Sequence, residues 1–364
     1  MRWNWELADW PQFKYDPEPI LQKERQFLLG AGSSIAFLKN ISEPEYRQFT
    51  VEILSAEGLE SSKIEGEILD RESLQSSIKR HFGINPSLKK EPHKESQMAK
   101  VLCDVYKTFD KPLTHEMLWN WHAMLFDEQS HIEDKGKYRE HAEPMQIISR
   151  HLGAPRVFFE APPSSKVPKE MALFVAWFNS KTTSESILGR AALAHVYFES
   201  IHPFEDGNGR IGRVIVEKIL SQGIGRPILI AVSKILSKRK KEYYAALQKC
   251  NRTLEIDHFV QFFAAVILQA QEESMKFLHF LIEKSKMLTA LAGKLNLRQE
   301  KVLLRLFAEG LGGFQGGLSA EKYISMTKAS RATATRDLND LIELKVLKKT
   351  GELRHTRYWL NLNQ

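Results

Sequence analysis

Twelve consecutive residues, His202-Pro203-Phe204-Glu205-Asp206-Gly207-Asn208-Gly209-Arg210-Ile211-Gly212-Arg213, hold side chains suited to handling a polyphosphate. Gly207 and Gly209 let the backbone curl closely around a ligand, and Asn208 tolerates the left-handed region. The run leads into a helix, whose unpaired N–H groups and dipole make an anion site. Arg210 and Arg213 lie three apart and both project near the first helical turn. Two guanidinium groups beside a nest of N–H donors suit a polyphosphate better than a single carboxylate. Asp206 puts a carboxylate where phosphates would sit, so a mediating Mg²⁺ is expected. His202 has the ordinary pKa to take a proton near neutral pH, and Phe204 is the apolar pin that holds the loop to the core. Base, metal carboxylate, phosphate nest and two arginines make a set for transfer of a phosphorus group. A Gly/Asn/Asp loop between helices is by itself an ordinary turn; twelve positions meeting one chemical scheme are not.

The elements that must position this loop read as mainly helical. Ser186–Ile201 has the apolar spacing of a helix leading into it, and a second helix runs from about Gly209 to Ser221. Upstream, helical patterns cover Glu43 to Gln75, Met98–Phe109, Thr114–Phe126 and Val167–Phe178. Between Gly136 and Pro163 the pattern changes: Met145–Ser149 and Arg156–Phe159 predict two short strands around a turn at Leu152-Gly153. Lys238–Asn251 and His258–Lys284 are further helices, and a flexible join near Ala292–Asn296 follows. The last stretch reads helix (Gln299–Glu309), Gly-rich turn (Gly310, Gly312, Gly313, Gly316, Gly317), helix (Ser319–Ile324) and helix (Ser330–Leu344). A hairpin from Val346 to Leu360, turning at Gly351-Glu352, closes it. Three helices and a hairpin predict a winged helix-turn-helix. The start, with Trp3, Trp5, Trp10, Pro11, Pro17 and Pro19, reads as an extended arm with docking aromatics.

Composition bounds the class. The chain has 364 residues, 43% hydrophobic and 27% charged, an ordinary globular balance. No apolar run is long enough to span a bilayer and the first residues lack a signal-peptide core, so a cytoplasmic protein without membrane contact is expected. Cys103 and Cys250 have no Cys or His at ligand spacing and are expected reduced and buried, with no zinc site. Between residues 286 and 364 fourteen Lys/Arg stand against seven Asp/Glu, so the whole net charge of +7 resides there. That excess raises the question of a polyanion partner.

The twelve-residue run resembles the signature of the Fic family, His-x-Phe-x-(Asp/Glu)-Gly-Asn-Gly-Arg-x-x-Arg, at every specified position. The resemblance extends over roughly Leu113–Phe263 and implies an all-helical Fic core with a β-hairpin flap. It implies AMP transfer from ATP to a Ser, Thr or Tyr hydroxyl of a protein, with pyrophosphate released. By position, His202 is then the general base and Asp206 the Mg²⁺ ligand. Gly207, Asn208 and Gly209 cradle the α- and β-phosphates, and Arg210 and Arg213 contact phosphates, Arg213 nearest the γ-phosphate. The flap at 147–157 would align the target by strand addition. Glu242-Tyr243-Tyr244 with Asn251 is similar to the adenine-side residues, with Tyr244 and Asn251 on one helix face.

Ser61-x-x-x-Glu65-Gly66 is similar to the family's inhibitory motif, (Ser/Thr)-x-x-x-Glu-(Gly/Asn), in the subclass that carries it on an N-terminal helix. Read locally, Ser61 is an N-cap and Gly66 a helix end. Glu65 is expected to form a bidentate pair with Arg213, taking away the cation that orients the γ-phosphate. Self-modification, AMP removal and self-association are further expectations from the resemblance. In the winged helix, Ser330, Arg331, Thr333, Thr335 and Arg336, with Lys348, Lys349, Arg354 and Arg357, are candidates for DNA contact. The expected domains are 1–110 (arm and inhibitory helix), 111–285 (catalytic core) and 293–364 (winged helix). The competing reading is a DNA-binding regulator whose Fic core senses nucleotide; the intact His202 favours the enzyme.

Overall fold

The structure, a computed structural model, describes residues 2–84, 92–126, 130–148, 157–180, 186–310 and 313–362. It is mainly α, as expected, with one small hairpin in the central stretch and another near the end. The elements are α1 (Glu18–Lys39), α2 (Glu43–Ile64), α3 (Arg71–His81), α4 (His93–Lys107), α5 (His115–Leu125), β1 (Gln146–Ile148), β2 (Val157–Glu160), α6 (Val167–Asn179), α7 (Ile187–Ile201) and α8 (Asn208–Ile224). They continue with α9 (Val232–Lys238), α10 (Lys240–Cys250), α11 (Asp257–Ala290), α12 (Leu297–Ala308), α13 (Ala320–Thr327), α14 (Arg331–Glu343), β3 (Leu347–Thr350) and β4 (Arg357–Leu360). Of the expected flap, Ser149, Leu152, Gly153 and Arg156 lie outside the described residues, as does Gly312.

Contacts divide the chain into two units, one of residues 1–40 and 46–274, the other of 41–45 and 275–364. The first stretch, expected as a separate domain to residue 110, thus shares a unit with the residues around the motif. The reason is burial: Phe27, Leu54, Leu74 and Leu102 join one hydrophobic core with Phe198, Ile211 and Phe263. The division falls inside α11, which runs past the expected helix end at Lys284.

At the centre of the first unit stands α7, apolar nearly all round and buried at twelve of its fifteen positions, as a helix walled in by others must be. Its start is fixed twice. Ser186 Oγ accepts from Gly189 N at 3.0 Å, and Glu24 from α1 accepts from Ile187 N at 2.8 Å and Leu188 N at 3.1 Å. A carboxylate on these free donors also complements the helix dipole. The helix ends at His202, whose backbone is left-handed with φ 50°. α8 begins five residues beyond the His202-Pro203 step, after Gly207 (φ 80°).

The second unit is described by itself. Asn296 caps α12, accepting from Arg298 N and Gln299 N, with Gln299 returning the bond to Asn296 N. Asp337 on α14 collects Arg298 Nε at 2.8 Å, Tyr323 OH at 2.9 Å and Asn296 Nδ2 at 3.0 Å, joining three helices at a buried carboxylate. β3 and β4 pair antiparallel from Leu347↔Leu360 to Thr350↔Arg357, and Leu318 bridges Tyr358 on the other side. The turn expected at Gly351-Glu352 is longer, with a 3-10 turn at Leu353–His355. No helix among the described residues is long and apolar enough to cross a membrane.

Candidate active site

A cleft of about 990 Å³ opens in the first unit, with Glu65, His202, Asp206, Asn208 and Gly209 on one side and Gln146, Ile147, Ile148, Phe158, Tyr244 and Asn251 on the other. The loop from 202 to 207 is locked from behind. Phe204 is fully buried and stacks on His122 with ring centroids 4.2 Å apart and planes 6° from parallel. Asn208 spends its side chain on the same residue: Oδ1 accepts from Phe204 N at 2.9 Å and Nδ2 donates to Phe204 O at 2.8 Å. The Asn208 amide is therefore a brace for the loop, and only its backbone can face a phosphate.

Arg139, which sequence reasoning missed, is the second brace. Its guanidinium is buried and donates from Nε to His202 O at 2.8 Å and from Nη2 to Pro162 O at 2.5 Å, with Nη1 on Ser164 Oγ at 2.9 Å. No local pattern around Gly136-Lys137-Tyr138-Arg139 signals this, because its partners are 23 to 63 residues away.

His202 lines the cleft with its side chain 13% exposed. Burial, reinforced by the Arg139 charge, brings its pKa down to about 4, so the imidazole is neutral at pH 7 and free to accept a proton. Its Nδ1 lies 3.4 Å from Glu199 O and 3.7 Å from Glu199 Oε2. Glu199 is itself enclosed; burial and then the nearby Glu65 charge raise its pKa to about 8.

The first turn of α8 leaves the N–H groups of Asn208, Gly209 and Arg210 without helical partners. Glu65 reaches this nest. A Cβ on Gly209 would collide with Glu65 Oε1 and come within 3.1 Å of Arg213 Nη1. The absence of a side chain at 209 is what lets an anionic group approach. On Gly207 a Cβ would press on the Phe126 ring at 3.1 Å.

Both motif arginines are engaged by the segment at the end of α2. Arg213 Nη2 pairs with Glu65 Oε1 at 2.8 Å and also donates to Ser61 O at 3.0 Å, while Nε donates to Ser61 Oγ at 2.9 Å. The pair is single-pronged rather than bidentate, because Ser61 takes the Nε edge of the fork and Nη1 is left buried without a partner. Burial opposes the charge on Arg213, but Glu65, with Tyr243 and Glu199 behind it, keeps it firmly protonated. Ser61 is buried in the last turn of α2 and is not an N-cap; Gly66, with φ 90°, does lie just past that helix end. Glu67, which the motif does not include, holds Arg210: its Oε2 accepts from Nη1 at 2.8 Å. The end of α2 is fastened from the other side too, Ile64 O accepting from Lys240 Nζ at 2.5 Å and Tyr244 OH at 3.4 Å.

On the far wall, Tyr244 is 43% exposed and faces the cleft, whereas Tyr243 is buried with its OH 2.7 Å from His195 Nε2. Asn251 caps α10 rather than sharing its face, and its Nδ2 donates to Phe158 O at 3.2 Å.

For a cation, Asp206 offers one oxygen. Its Oδ1 accepts from Gly207 N at 2.6 Å; Oδ2 stands 3.8 Å from Arg210 Nη2, and the side chain is 68% exposed. Glu205 Oε2 is engaged elsewhere, accepting from Glu133 N and Asp134 N. Among the described residues no three His, Cys, Asp or Glu side chains cluster as a cage. A single outward carboxylate beside a phosphate nest fits Mg²⁺, which is held by one or two carboxylates together with phosphate oxygens. Cys103 and Cys250 are buried and unpaired with each other, their thiols pushed up to about 12 by burial.

Comparison with known proteins agrees with this geometry. A family profile described as Fic/DOC family matches residues 112–220, and one described as a domain of unknown function (DUF4172) matches 3–84. A "Probable protein adenylyltransferase" of Aquifex aeolicus is 30% identical over 91 residues, 25% of this chain and 26% of that protein. A protein adenylyltransferase Fic of Drosophila virilis is 35% identical over 95 residues, 26% of this chain and 18% of that protein. The chain thus spans about a quarter or less of these relatives. Among solved structures, a Fic family protein of Desulfovibrio desulfuricans superposes with a TM-score of 0.57 at 21% identity, over 96% of this chain and 98% of that one. A Fic domain-containing protein of Bacteroides thetaiotaomicron gives 0.53 at 21%, over 70% and 96%. The His202–Arg213 loop and the helices that carry it thus lie in a Fic/DOC family domain, at residues 112–220 of this chain.

Proposed function

We propose that this chain is a protein adenylyltransferase, moving AMP from ATP to a Ser, Thr or Tyr hydroxyl of a protein and held back by its own Glu65. The observation that carries the reading is the cleft floor, where a neutral His202, the free N–H groups of α8 and the Asp206 carboxylate meet beneath an exposed strand edge. The curated relatives named as adenylyltransferases support the reaction class.

In the reaction the acceptor oxygen bonds to the α-phosphorus and the bond from that phosphorus to the bridging oxygen breaks, so pyrophosphate departs with the electron pair. The acceptor proton goes to His202. With Nδ1 turned toward Glu199, Nε2 is the nitrogen that receives it. Backbone N–H groups of residues 207 to 209 take the α- and β-phosphates, where charge grows in the transition state. Arg210 and Arg213 orient the outer phosphates. Mg²⁺ on Asp206 would shield the charge of the departing pyrophosphate. The strand edge of β1 would align the acceptor backbone beside His202.

Glu65 opposes this by occupying the place over Gly209 and pairing with Arg213. ATP must displace a carboxylate to reach a productive pose. Labelled ATP, incubated with purified wild-type and Glu65→Gly chains and cell lysate, tests the reading. Incorporation of AMP into protein is expected, strongest with the variant; its absence from both sinks the assignment.

The second unit, with three helices and a basic hairpin, is read as a winged helix. Arg331, Arg336, Lys348 and Lys349 are exposed and suit phosphate contacts, whereas Ser330 and Thr335 spend their hydroxyls within the helix.

A further inference from the structure

The hairpin β1–β2 has two outer edges, and they differ. In its register Gln146 opposes Glu160 and Ile147 opposes Phe159, while Ala161 N donates to Met145 O at 2.9 Å. Backbone groups alternate in direction along a strand, so the pairs at 159 and 161 bond inward to β1. The carbonyls of Phe158 and Glu160 point the other way. Both are already taken by side chains from outside the hairpin: Glu160 O accepts from Trp5 Nε1 at 2.7 Å, and Phe158 O from Asn251 Nδ2 at 3.2 Å.

Trp5 is held there by its neighbours. Asn4 is fully buried and donates from Nδ2 to Ser200 Oγ at 2.8 Å and Cys250 O at 3.1 Å, while its own Oδ1 accepts from Trp5 N at 2.8 Å. The Asn4 N–H donates to Asn251 O at 2.9 Å. Trp3 meets Phe159 of β2 edge-on at 5.4 Å and carries the Arg252 guanidinium on its face. Three consecutive residues thus tie the second strand of the flap to α7 and to the end of α10. By contrast β1 is exposed along its whole length.

We infer that Trp3-Asn4-Trp5 give the flap a polarity: they close the outer edge of β2, so an extended acceptor segment adds its backbone to β1 alone. Trp5 is a positioning residue, acting through β2. The inference gives a role to the start of the stretch matched by the domain of unknown function, and it rests on the reading that the flap receives a protein acceptor. An edge whose carbonyls are capped cannot pair with an incoming strand, and a braced β2 gives β1 a fixed partner.

Amide hydrogen exchange on the whole chain tests the brace without any reaction. Trp5→Phe keeps a ring and removes the indole N–H. Exchange at Phe159 and Ala161, whose amides face β1, should rise about five-fold or more while α7 and α8 are unchanged. Unchanged exchange at both positions overturns the inference. The edge is tested by transfer of AMP from labelled ATP to a His202→Ala copy, with a Glu65→Gly chain as catalyst and pyrophosphate as the leaving group. Gln146→Pro removes an outward donor of β1, and Gln146→Ala removes only the side chain. Pro should raise the acceptor KM about five-fold more than Ala does, with nucleotide affinity equal in the two. Equal acceptor KM values overturn the inference. If the Glu65→Gly parent itself transfers nothing, the proposed activity fails instead, and exchange at Phe159 and Ala161 still decides whether the arm braces the flap.

Discussion

Glu67 Oε2 stands 2.8 Å from Arg210 Nη1, just beyond the Glu65 carboxylate that stands 2.8 Å from Arg213 Nη2. One short segment therefore engages both arginines of the 202–213 loop. The holds are unequal: Arg213 receives three contacts from Ser61 and Glu65, Arg210 a single one from Glu67.

Glu65→Gly should raise the initial rate of AMP incorporation about ten-fold or more, since losing a charge-assisted pair of 1 to 2 kcal/mol frees Arg213 for phosphate. Arg213→Ala should not activate, because it loses the same pair along with the cation. Glu67→Ala should activate by only about two- to three-fold, its pair being partly exposed. The comparison is of initial rates at saturating Mg²⁺-ATP. Equal activation by Glu65→Gly and Arg213→Ala would mean that loosening α2, and not freeing Arg213, is what matters.

His202→Ala should reduce transfer by about a hundred-fold or more while leaving ATP binding nearly intact, because the proposed base would act on the hydroxyl and not on the nucleotide. The pH profile is a second check. Burial and Arg139 depress the imidazole to about 4, so the free-enzyme acid limb of kcat/KM belongs near pH 4. A limb at pH 6.5 would contradict a buried base. Unfolded His202 binds its proton at ordinary pH, so this residue's contribution to stability falls as pH drops from about 6.5 toward 4.

Glu199 reverses that sign. Burial and Glu65 hold its pKa near 8 against an ordinary 4.5, so between those values the folded chain keeps a proton that the unfolded chain has released. Its contribution to stability therefore declines as pH rises from about 4.5 to 8. Glu199→Gln should gain on wild type over that window, by on the order of 1 kcal/mol or more at the top of it. Denaturant midpoints at pH 5 and pH 8 measure this. A difference that is the same at both pH values refutes it.

Phe204→Ala should cost about 3 to 5 kcal/mol, the range for removing a fully buried phenyl ring. It also unstacks His122, so the loop should loosen and nucleotide affinity fall with stability. Thermal unfolding and nucleotide titration would show whether the two losses go together.

The 202–213 loop and its two helices were legible because they are local: His202 to Arg213 is one uninterrupted run, and α7 is apolar nearly all round. What the sequence hid depends on distance. Arg139 braces His202 from 63 residues away, and Glu24 caps α7 from 163 residues away; neither leaves a periodic trace. Ser61 was misread because Ser is a common N-cap, yet here its hydroxyl serves Arg213 from inside a helix. Asn208 was read as a phosphate ligand because the motif marks the position, but not which of its groups turns inward. Glu67 has no motif to mark it, since it becomes a partner of Arg210 only when the end of α2 meets α8.

His202 occupies backbone space that suits glycine, with φ 50°. A side chain there costs about 1 to 2 kcal/mol. The proposed proton acceptor is therefore held in place against the local preference of its own main chain, with Arg139 on its carbonyl and Asn208 on Phe204 helping to fix the loop. Replacement by glycine should give a sturdier protein than replacement by alanine, though both lack the imidazole. Any copy of this fold released from catalysis would be free to shed that discomfort, and a glycine or asparagine at this one position would be the first mark of a retired enzyme.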